Sequence, residues 1–183
     1  NPVTYSASPA GVVTIAGNLV TIVGAGVTTI TASQAGNANY NAAANVPQTL
    51  TVNQASQTIT FGSLAPKPDN GANFQLTATG GGSGNPIVYT SSNTAVAIIV
   101  NSLGNPDPNG DYVDILTAGS TIITANQAGN SNYLDATAVQ QTQVINSTSL
   151  LPQTITGLPL TDTRTYGDAN YQLTAKGGLS GNP

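Results

Sequence analysis

Apolar and polar residues alternate along this chain in short runs that are separated by turn-forming residues. Representative runs are VVTIA at 12–16, LVTIV at 19–23 and STIITAN at 120–126. Val, Ile and Thr dominate these runs, and such β-branched residues fit the pleated surface of a sheet. No window sustains the 3.6-residue apolar period of an amphipathic helix. The pattern therefore predicts an all-β fold made of short strands.

Several motifs occur twice, and this internal repetition sets the organisation of the chain. The matching pairs are NPVTYSAS at 1–8 with NPIVYTSS at 85–92, TASQAGNANY at 31–40 with TANQAGNSNY at 124–133, QTIT at 57–60 with QTIT at 153–156, and NFQLTATGGGSGNP at 73–86 with NYQLTAKGGLSGNP at 170–183. The frame predicts one complete module at 57–146. Residues 1–53 are the C-terminal part of a preceding module, and residues 153–183 are the N-terminal part of a following one. On this interpretation the chain is a segment of a longer array.

The complete module is expected to contain about seven strands, separated by Gly, Pro, Asn and Ser. They are expected at 57–61, 73–79, 87–91, 95–101, 111–117, 120–126 and 138–146. The first part repeats the last five at 3–7, 12–16, 19–23, 27–33 and 46–53, and the last part repeats the first two at 153–157 and 170–176. Short strands at this spacing predict tandem immunoglobulin-like β-sandwich modules. The hairpin turn at 17–18 has grown into the loop 101–110 in the second copy, where an insertion costs little.

The repeated motifs resemble those of a known family. QTITFGSL, YGDANYQLTA, NPIVYTSSN and TASQAGNANY resemble the bacterial immunoglobulin-like repeats of the MBG type, which occur in giant cell-surface adhesins such as the SprB-type gliding adhesins of Bacteroidota. The resemblance implies an extracellular array on the bacterial cell surface with a role in cell adhesion or gliding motility. The chain departs from the pattern in its long 101–110 loop, and at 64–70, where LAPKPDN lacks the TYGDA found at 165–169.

The charge composition excludes several classes of function. Charged residues make up 5% of the 183 residues, the net charge is -4, and Lys67, Arg164 and Lys176 are the only cations. Nucleic-acid binding needs clustered cations that displace counterions from phosphates, so no nucleic-acid partner is expected. No apolar run is long enough to cross a bilayer, so the chain is not expected to be membrane-embedded. The absence of His and Cys removes Ser-His and Cys-His catalysis. We therefore expect neither enzymatic activity nor a cofactor.

One acidic segment is a weak calcium candidate. Asp107, Asn109, Asp111 and Asp114 offer oxygen ligands around Gly110, and calcium prefers six to eight such oxygens. The EF-hand spacing and its closing Glu are absent. The favoured interpretation is a solvated hairpin turn in which Asp and Asn bond to nearby backbone, so no metal site is expected.

The tyrosines offer a second set of candidate residues. Tyr40 and Tyr133 follow a Gly-Asn-x-Asn turn in each copy. An exposed ring at this position could stack on a sugar, but the favoured interpretation is a ring that packs under the loop and bonds to nearby backbone. Tyr5 and Tyr89 lie on the third strand of their modules, and we expect them in the core position that Trp fills in antibody domains.

Repetition without catalytic residues favours a structural function. The chain is predicted to be a repeat segment of a long extracellular bacterial surface adhesin, which forms an extended stalk that spaces or displays an adhesive region. Its partners are then neighbouring repeats of the same chain or protein. Two alternatives remain open: the repeat unit of a multi-chain extracellular filament, and a glycan-binding immunoglobulin-like module with surface glycans as ligands.

Overall fold

The computed structural model describes residues 1–149 together with Thr156 and Tyr166. Two compact units are present, Asn1–Ser147 and Thr148–Pro183, and every named strand belongs to the first. All secondary-structure elements of the described residues are β-strands, which confirms the all-β prediction. None of these residues belongs to a helix of the length and hydropathy that a membrane span requires. The strands predicted at 153–157 and 170–176 lie outside the described residues, apart from Thr156.

Residues 1–53 form five strands that bury little of their surface. They are β1 (Thr4–Ser8), β2 (Val13–Ala16), β3 (Leu19–Ile22), β4 (Gly26–Ser33) and β5 (Val46–Val52). One antiparallel sheet has the order β1-β4-β5, and β2 and β3 form a hairpin. The hairpin turns at Gly17, whose φ of 64° lies in the left-handed region that glycine tolerates. These five strands agree with the predicted ones.

Residues 57–146 form the remaining nine strands. They are β6 (Thr60–Phe61), β7 (Lys67–Pro68), β8 (Phe74–Gln75), β9 (Ala78–Thr79), β10 (Ile87–Ser91), β11 (Ala97–Val100), β12 (Tyr112–Ile115), β13 (Gly119–Gln127) and β14 (Val139–Asn146). All seven predicted strands are present, although the second is divided into β8 and β9. The short β7 was not predicted, because the segment around it contains two prolines and lacks alternation.

The sheets of residues 57–146 have the order of an immunoglobulin sandwich. One sheet runs β10-β13-β14-β7, the other runs β11-β12-β8, and β6 pairs with β9. The opening stretch of the module contributes to both sheets, since β7 pairs in parallel with β14 while β8 pairs antiparallel with β12. This arrangement confirms the predicted fold class.

A single hydrophobic core lies between these sheets. The buried residues that form it are Ile59, Phe61, Leu76, Tyr89, Val96, Ala97, Val113, Ile123, Ala125 and Ile145. Strand β13 shows how the sequence specifies the inner face, because Thr121, Ile123, Ala125 and Gln127 are buried at alternate positions. Alternation with period two places these four side chains on one side of the sheet.

The two copies share one strand register. Tyr5 pairs with Ala32 as Tyr89 pairs with Ala125, which places the matching strands β1–β4 and β10–β13 in the same alignment. Further matching pairs are Ala32–Val46 with Ala125–Val139, and Val13–Ile22 with Ala97–Ile115. The repetition in the sequence is therefore a repetition of structure. The division of residues 1–53 from residues 57–146 as separate modules remains a prediction.

Burial differs sharply between the copies. Tyr89 is 4% exposed, whereas Tyr5 is 43% exposed, and Val113 and Val20 differ in the same way at 0% and 40%. The prediction of a core tyrosine is confirmed for Tyr89 and wrong for Tyr5. The reason is that β6, β8 and β9 cover the face on which Tyr89 lies, and no strand of the described residues covers the equivalent face of residues 1–53.

Ionisation of the Tyr89 phenol makes the free energy of unfolding depend on pH in the alkaline range. Its hydroxyl accepts a hydrogen bond from Ala78 N at 3.0 Å, and its ring centroid lies 5.6 Å from that of Phe61. Burial raises the pKa of Tyr89 above its ordinary value of 10.0; the bond from Ala78 opposes this effect, and the charge of Asp111 adds to it. Because the folded pKa is the higher one, the contribution to stability is complete below about pH 10 and is lost as the pH rises through the folded pKa.

We predict that Tyr89→Phe lowers the free energy of unfolding by about 1 kcal/mol at pH 7, since it leaves Ala78 N without its acceptor. The variant should also lose less stability than the wild type as the pH rises above about 10. Urea unfolding followed by circular dichroism at several pH values measures both effects. Tyr40→Phe, at an exposed ring, should leave the pH 7 value unchanged. An equal alkaline loss in Tyr89→Phe and wild type would contradict the prediction.

Candidate functional site

The site most relevant to a repeating chain is the contact between its copies, which we call the junction. It consists of Gly24–Ala25 between β3 and β4, the linker 53–55 after β5, and the loop 129–133 between β13 and β14. Ala25 N donates a hydrogen bond to Asn132 Oδ1 at 2.9 Å, and Gln54 Nε2 donates to Asn130 O at 2.7 Å. The loop thus binds both the preceding copy and the linker.

The same loop fixes the start of the next module. Ala55 N donates to Asn132 O at 2.9 Å, and Leu134 N donates to Ala55 O at 2.9 Å. These bonds make a short parallel bridge between Ala55 and Tyr133. The linker is therefore held by backbone bonds on one side before the chain enters β6.

The repeated Gly-Asn-x-Asn motif explains the shape of this loop. Asn130 Oδ1 accepts hydrogen bonds from Asn132 N at 2.8 Å and Tyr133 N at 3.1 Å, which is the local bonding that favours Asn in turns. In the first copy, Asn37 Oδ1 accepts the equivalent bonds from the backbone two and three residues on. The motif therefore makes the same local hydrogen bonds in the loops of both copies.

The junction combines hydrogen bonds with apolar residues that stay largely exposed. A Cβ on Gly24 would lie 2.5 Å from Gly11 O of the same copy, so that contact requires glycine, and it would lie 3.3 Å from Asn132 Oδ1 across the junction. A cleft of about 240 Å³ lies beside it and is lined by Ile22, Val23 and Tyr133 among others. Ile22 and Val23 remain 62% and 51% exposed. Hydrogen bonds rather than a shared apolar core hold the junction.

We predict that Asn132→Ala loosens the junction without unfolding either copy. Loss of the bond to Ala25 N costs about 1 kcal/mol, or roughly a five-fold change in the ratio of open to closed junctions. Residual dipolar couplings measured by NMR for residues 1–53 and 57–146 should then fit two less correlated alignment tensors. Asn39→Ala, at the same loop position of the first copy, is the matched control. A variant with unchanged relative alignment would contradict this prediction.

The structure separates the two candidate tyrosines. Tyr133 is half-buried and packs on the backbone of Gly82, where a Cβ would lie 2.5 Å from the ring. The predicted packing of the ring is confirmed for Tyr133, whereas the predicted bond from its hydroxyl to nearby backbone stays a prediction. The predicted packing is wrong for Tyr40, which is 74% exposed, because no described residue stands against Tyr40 as Gly82 stands against Tyr133.

The calcium candidates are engaged in local and interstrand bonds. Asp107 Oδ1 accepts from Asn109 N at 2.9 Å, and Asp111 Oδ2 accepts from Gln75 Nε2 at 2.7 Å. Asp114 lies on β12 opposite Ile98. Within residues 1–149, Thr156 and Tyr166, no three or more His, Cys, Asp or Glu residues form a group that could hold a metal ion. A metal-free turn at 107–114 remains a prediction.

We expect calcium to leave the thermal stability of the chain unchanged. A ligand that binds the native state raises the free energy of unfolding by RT ln(1 + [L]/Kd), so millimolar calcium would raise the melting midpoint by several degrees if it bound at micromolar Kd. Melting curves with calcium and with chelator should agree within about 1 °C if no such site exists. A rise that Asp107→Asn abolishes would overturn the prediction and place calcium in the loop.

Sequence reasoning missed a set of glutamines that tie the opening stretch 57–86 to the rest of its module. Gln57 is 8% exposed, and its Nε2 donates to Ala128 O at 3.2 Å and Leu134 O at 2.9 Å. Its Oε1 accepts from Ser83 N at 2.9 Å. One buried amide thus joins three backbone groups. The only sequence signal for this role was the position of Gln57 as the first residue of the repeated QTIT motif.

Three further glutamines make the same kind of contact. Gln127 Nε2 donates to Asn85 O, and its Oε1 accepts from Gly81 N, both at 2.7 Å. On β14, Gln141 Nε2 donates to Phe61 O at 2.8 Å and Gln143 Nε2 donates to Ala65 O at 3.1 Å. Gln143 is fully buried and its Oε1 has no hydrogen-bond partner. Side-chain amides on β13 and β14 therefore hold backbone groups of the opening stretch 57–86.

Comparison with known proteins finds remote structural similarity only. No family model matches the chain. No curated protein matches it either. Among solved structures, domains 1–6 of the surface-layer protein SbsC are similar with a TM-score of 0.39 and 18% identity over 84% of this chain and 21% of that chain.

Two further structures show comparable similarity. The surface-layer protein rSbsC(31-844) has a TM-score of 0.35 and 16% identity over 98% of this chain and 30% of that chain. Mouse cadherin-23 EC22-24 has a TM-score of 0.34 and 13% identity over 79% of this chain and 53% of that chain. The chain thus spans about half or less of the length of each of these structures.

Proposed function

We propose that this chain is a structural repeat segment of a long extracellular bacterial surface adhesin, in which it forms an extended stalk that spaces or displays an adhesive region. The observation that carries the proposal is the identical strand register of two successive copies joined by a short bonded linker. Repeats that contact only their neighbours build a quasi-one-dimensional rod whose reach grows with their number. The resemblance to MBG-type repeats extends the proposal to the gliding adhesins of Bacteroidota.

The topology of the complete module suits a load-bearing element. Strand β7 near the start of the module pairs in parallel with β14 at its end, with Ile145 opposite Lys67. Tension applied at the two ends pulls parallel strands in opposite directions, so their bonds are loaded together rather than one after another. The bonds from Gln141 and Gln143 to the opening stretch, and from Asp69 N to Asn146 O at 2.9 Å, lie in the same seam.

The composition supports exposure outside the cell. Charged residues make up 5% of the chain, and three of them are cations, so the surface offers few cleavage sites to trypsin-like proteases. Interactions among so few charges leave little for salt to screen. Stability that is nearly independent of ionic strength fits an array in changing surroundings.

Covalently joined copies provide the test of this function. Pro183 followed directly by Val3 of the next copy regenerates the sequence GNPVTYSAS, which matches GNPIVYTSS within the chain. Electron microscopy of such tandem chains should show a single thin beaded strand whose length rises linearly with copy number. A strand of nine residues such as β13 is about 30 Å long, which sets the scale of each bead. Globular particles that do not lengthen would refute the stalk.

Glycan binding is a second candidate function, and exposed Tyr40 is the observation that favours it. Its ring is 74% exposed beside a loop rich in Asn, and aromatic faces with polar neighbours suit stacking on sugar rings. A glycan array probed with the full chain and with Tyr40→Ala tests the idea. Binding that the substitution abolishes would support a glycan-binding module, and an array without signal would leave the stalk function.

A further inference from the structure

One edge of the second copy is open to another strand. Strand β10 is the outermost strand of the sheet β10-β13-β14-β7, and no strand of residues 1–149 pairs with its free side. This edge belongs to residues 57–146, where all seven predicted strands are present. Proteins usually protect such an edge with a charge, a proline or a bulge, because its free backbone groups can pair with another chain. The sequence IVYTS of β10 contains neither a charge nor a proline, so β10 can accept a further strand.

The alternation of the ladder shows which backbone groups of β10 are free. Ser92 N donates a hydrogen bond to Ile122 O at 3.0 Å, and these two residues continue the register of β10 with β13. In an antiparallel ladder, hydrogen-bonded and non-hydrogen-bonded pairs alternate, so Thr90 also directs its N–H and C=O groups at β13. The N–H and C=O groups of Tyr89 and Ser91 therefore point away from β13, towards the free side.

A groove of about 370 Å³ lies beside this edge. It is lined by residues 89–91 of β10, by Thr94, by Ile98 and Ile99 of β11, and by residues 106–108 of the loop 101–110. Ile98 and Ile99 are half-buried, so an apolar side chain placed against them would remove further apolar surface from water. A strand edge beside an apolar surface is the combination that recognises an extended peptide, because the backbone supplies bonds and the surface receives side chains.

The loop 101–110 forms one side of this groove. Asp107 N donates a hydrogen bond to Ile99 O at 3.3 Å, and Pro106 bridges to Val100, so the loop folds back along the free side of β11. The free sides of β10 and β11 border the same groove. A second copy that paired through its own β10 would therefore press its loop against this one, whereas a single extended strand meets no such obstacle.

The first copy lacks this side of the groove. Residues 101–111 separate β11 from β12, whereas Gly17–Asn18 alone separates β2 from β3. The two copies share one strand register, so this loop is where the second copy departs from the repeat. A site that needs the loop therefore belongs to the second copy.

The charges around the groove indicate the chemistry of the strand that fits it. Asp107 lines the groove, and Asp114 stands opposite Ile98 on the neighbouring strand. None of the described residues that line the groove is a Lys or Arg. Lys67 is the only Lys or Arg of the described residues, and it lies on β7 at the opposite edge of the same sheet. The β10 strand of a second copy brings no cation, so charge complementarity favours a strand of another protein that carries Lys or Arg.

We propose that the groove beside β10 binds an extended segment of a partner protein, which adds to β10 as a further strand. Backbone bonds to Tyr89 and Ser91 set the register of this segment, and one of its apolar side chains contacts Ile98. A Lys or Arg two positions away pairs with Asp107, since alternate side chains of a strand share one face. The site lies within one module, so it goes beyond the stalk function and does not depend on it.

A display library of random linear peptides, each about ten residues long, tests the proposal when it is selected on the full 183-residue chain. Enriched peptides should share an apolar residue and a Lys or Arg two positions apart, and should bind with a Kd of about 1 to 100 μM. A library that yields no enriched sequence, or enriched sequences without Lys or Arg, would overturn the proposal.

Amide hydrogen exchange followed by NMR shows where an enriched peptide binds. Pairing with β10 should slow exchange of the Tyr89 and Ser91 amides by about ten-fold or more, because their N–H groups gain acceptors. Slowing that leaves these two amides unaffected would mean that the peptide binds elsewhere, which overturns the proposal. If the same two amides were instead protected by raising the concentration of the chain without peptide, the occupant would be a second copy and not a partner protein.

Asp107→Asn tests the charge without changing the loop. The new side chain can still accept the hydrogen bond that Asp107 Oδ1 receives from Asn109 N. Binding of the enriched peptide should weaken by about five-fold at low ionic strength, and the difference from the wild type should disappear at high ionic strength. Leu103→Ala, at a residue 84% exposed that does not line the groove, should bind like the wild type. Equal binding by Asp107→Asn and the wild type at low ionic strength would contradict the pairing with Asp107.

Deletion of residues 101–109 tests the loop. It leaves Gly110–Asp111 as a two-residue turn, the form that the hairpin has at Gly17–Asn18 in the first copy. Slow amide exchange along β13 reports that the sheet is still folded, and binding of the enriched peptide should then be lost. A folded deletion variant that binds the peptide as tightly as the wild type would show that the groove is not the binding site.

Discussion

Ile123→Ala should lower the free energy of unfolding of the second copy by about 2 to 5 kcal/mol, the range for removing a large aliphatic side chain from a packed core. Ile123 is 0% exposed and belongs to the single core cluster. Ile30→Ala, at the same register position of the first copy, should cost no more than about 1.5 kcal/mol, because a half-buried side chain leaves less of a cavity. Urea titration followed by NMR of the isoleucine methyls reports the two copies separately.

The control for this comparison lies on the same strand. Ile122 is the neighbour of Ile123 on β13, points to the opposite side of the sheet and is 40% exposed. Ile122→Ala should lower the free energy of unfolding by less than about 1 kcal/mol. The side chain of Ile122 is only partly removed from water on folding, and its truncation leaves no cavity. Equal losses for Ile123→Ala and Ile30→Ala would mean that the first copy has a closed core of its own.

The strands were predictable because their signal is local. Alternation marks β13 and β14, and Gly119 and Gly129 mark the ends of β13, so these strands can be placed from the sequence pattern. Strand β7 escaped prediction because it has two residues, one of them Pro68, and exists only through its pairing with β14. The exposure of Tyr5 was also missed, because the alternation in β1 specifies an inner face but not whether another strand covers it.

The candidate site was predictable only in part. The Gly-Asn-x-Asn turn was visible in the sequence, but the bond from Ala25 N to Asn132 Oδ1 joins residues 107 positions apart. No local pattern encodes such a contact. The buried glutamines were missed for a related reason: glutamine is usually exposed, and its burial depends on partners that only the fold brings together.

The side-chain amides of these glutamines also explain how a chain with few charged residues attaches the opening stretch 57–86 to the rest of the module. Gln57, Gln127, Gln141 and Gln143 bond backbone groups of residues 57–86 or the loops they meet, and the repeat places Gln34 and Gln48 at two of these positions in the first copy. Because an amide both donates and accepts, it can join two backbone segments without the desolvation cost of burying a charge. Removing the donor half of one such amide should therefore have a large effect.

Gln57→Glu is the variant that tests this with the least change in shape. At pH 7 a carboxylate would face Ala128 O and Leu134 O, both of which now accept from the amide, so we expect the free energy of unfolding to fall by about 3 kcal/mol or more. Burial and the two carbonyl oxygens would raise the pKa of this Glu in the folded state above its ordinary value of about 4.3. The variant should therefore be most stable below about pH 4.3 and lose stability as the pH rises through the folded pKa.

Urea unfolding at pH 4 and pH 7, followed by circular dichroism, measures both the loss and its pH dependence. Gln54→Glu is the matched control, because Gln54 is exposed and donates a similar bond to Asn130 O at 2.7 Å. Water can solvate the new charge there, so the cost should stay below about 1 kcal/mol at either pH. If the two variants lost equal stability at pH 7, the hydrogen bonds of the buried Gln57 amide would not be what holds the opening stretch 57–86 to the rest of its module.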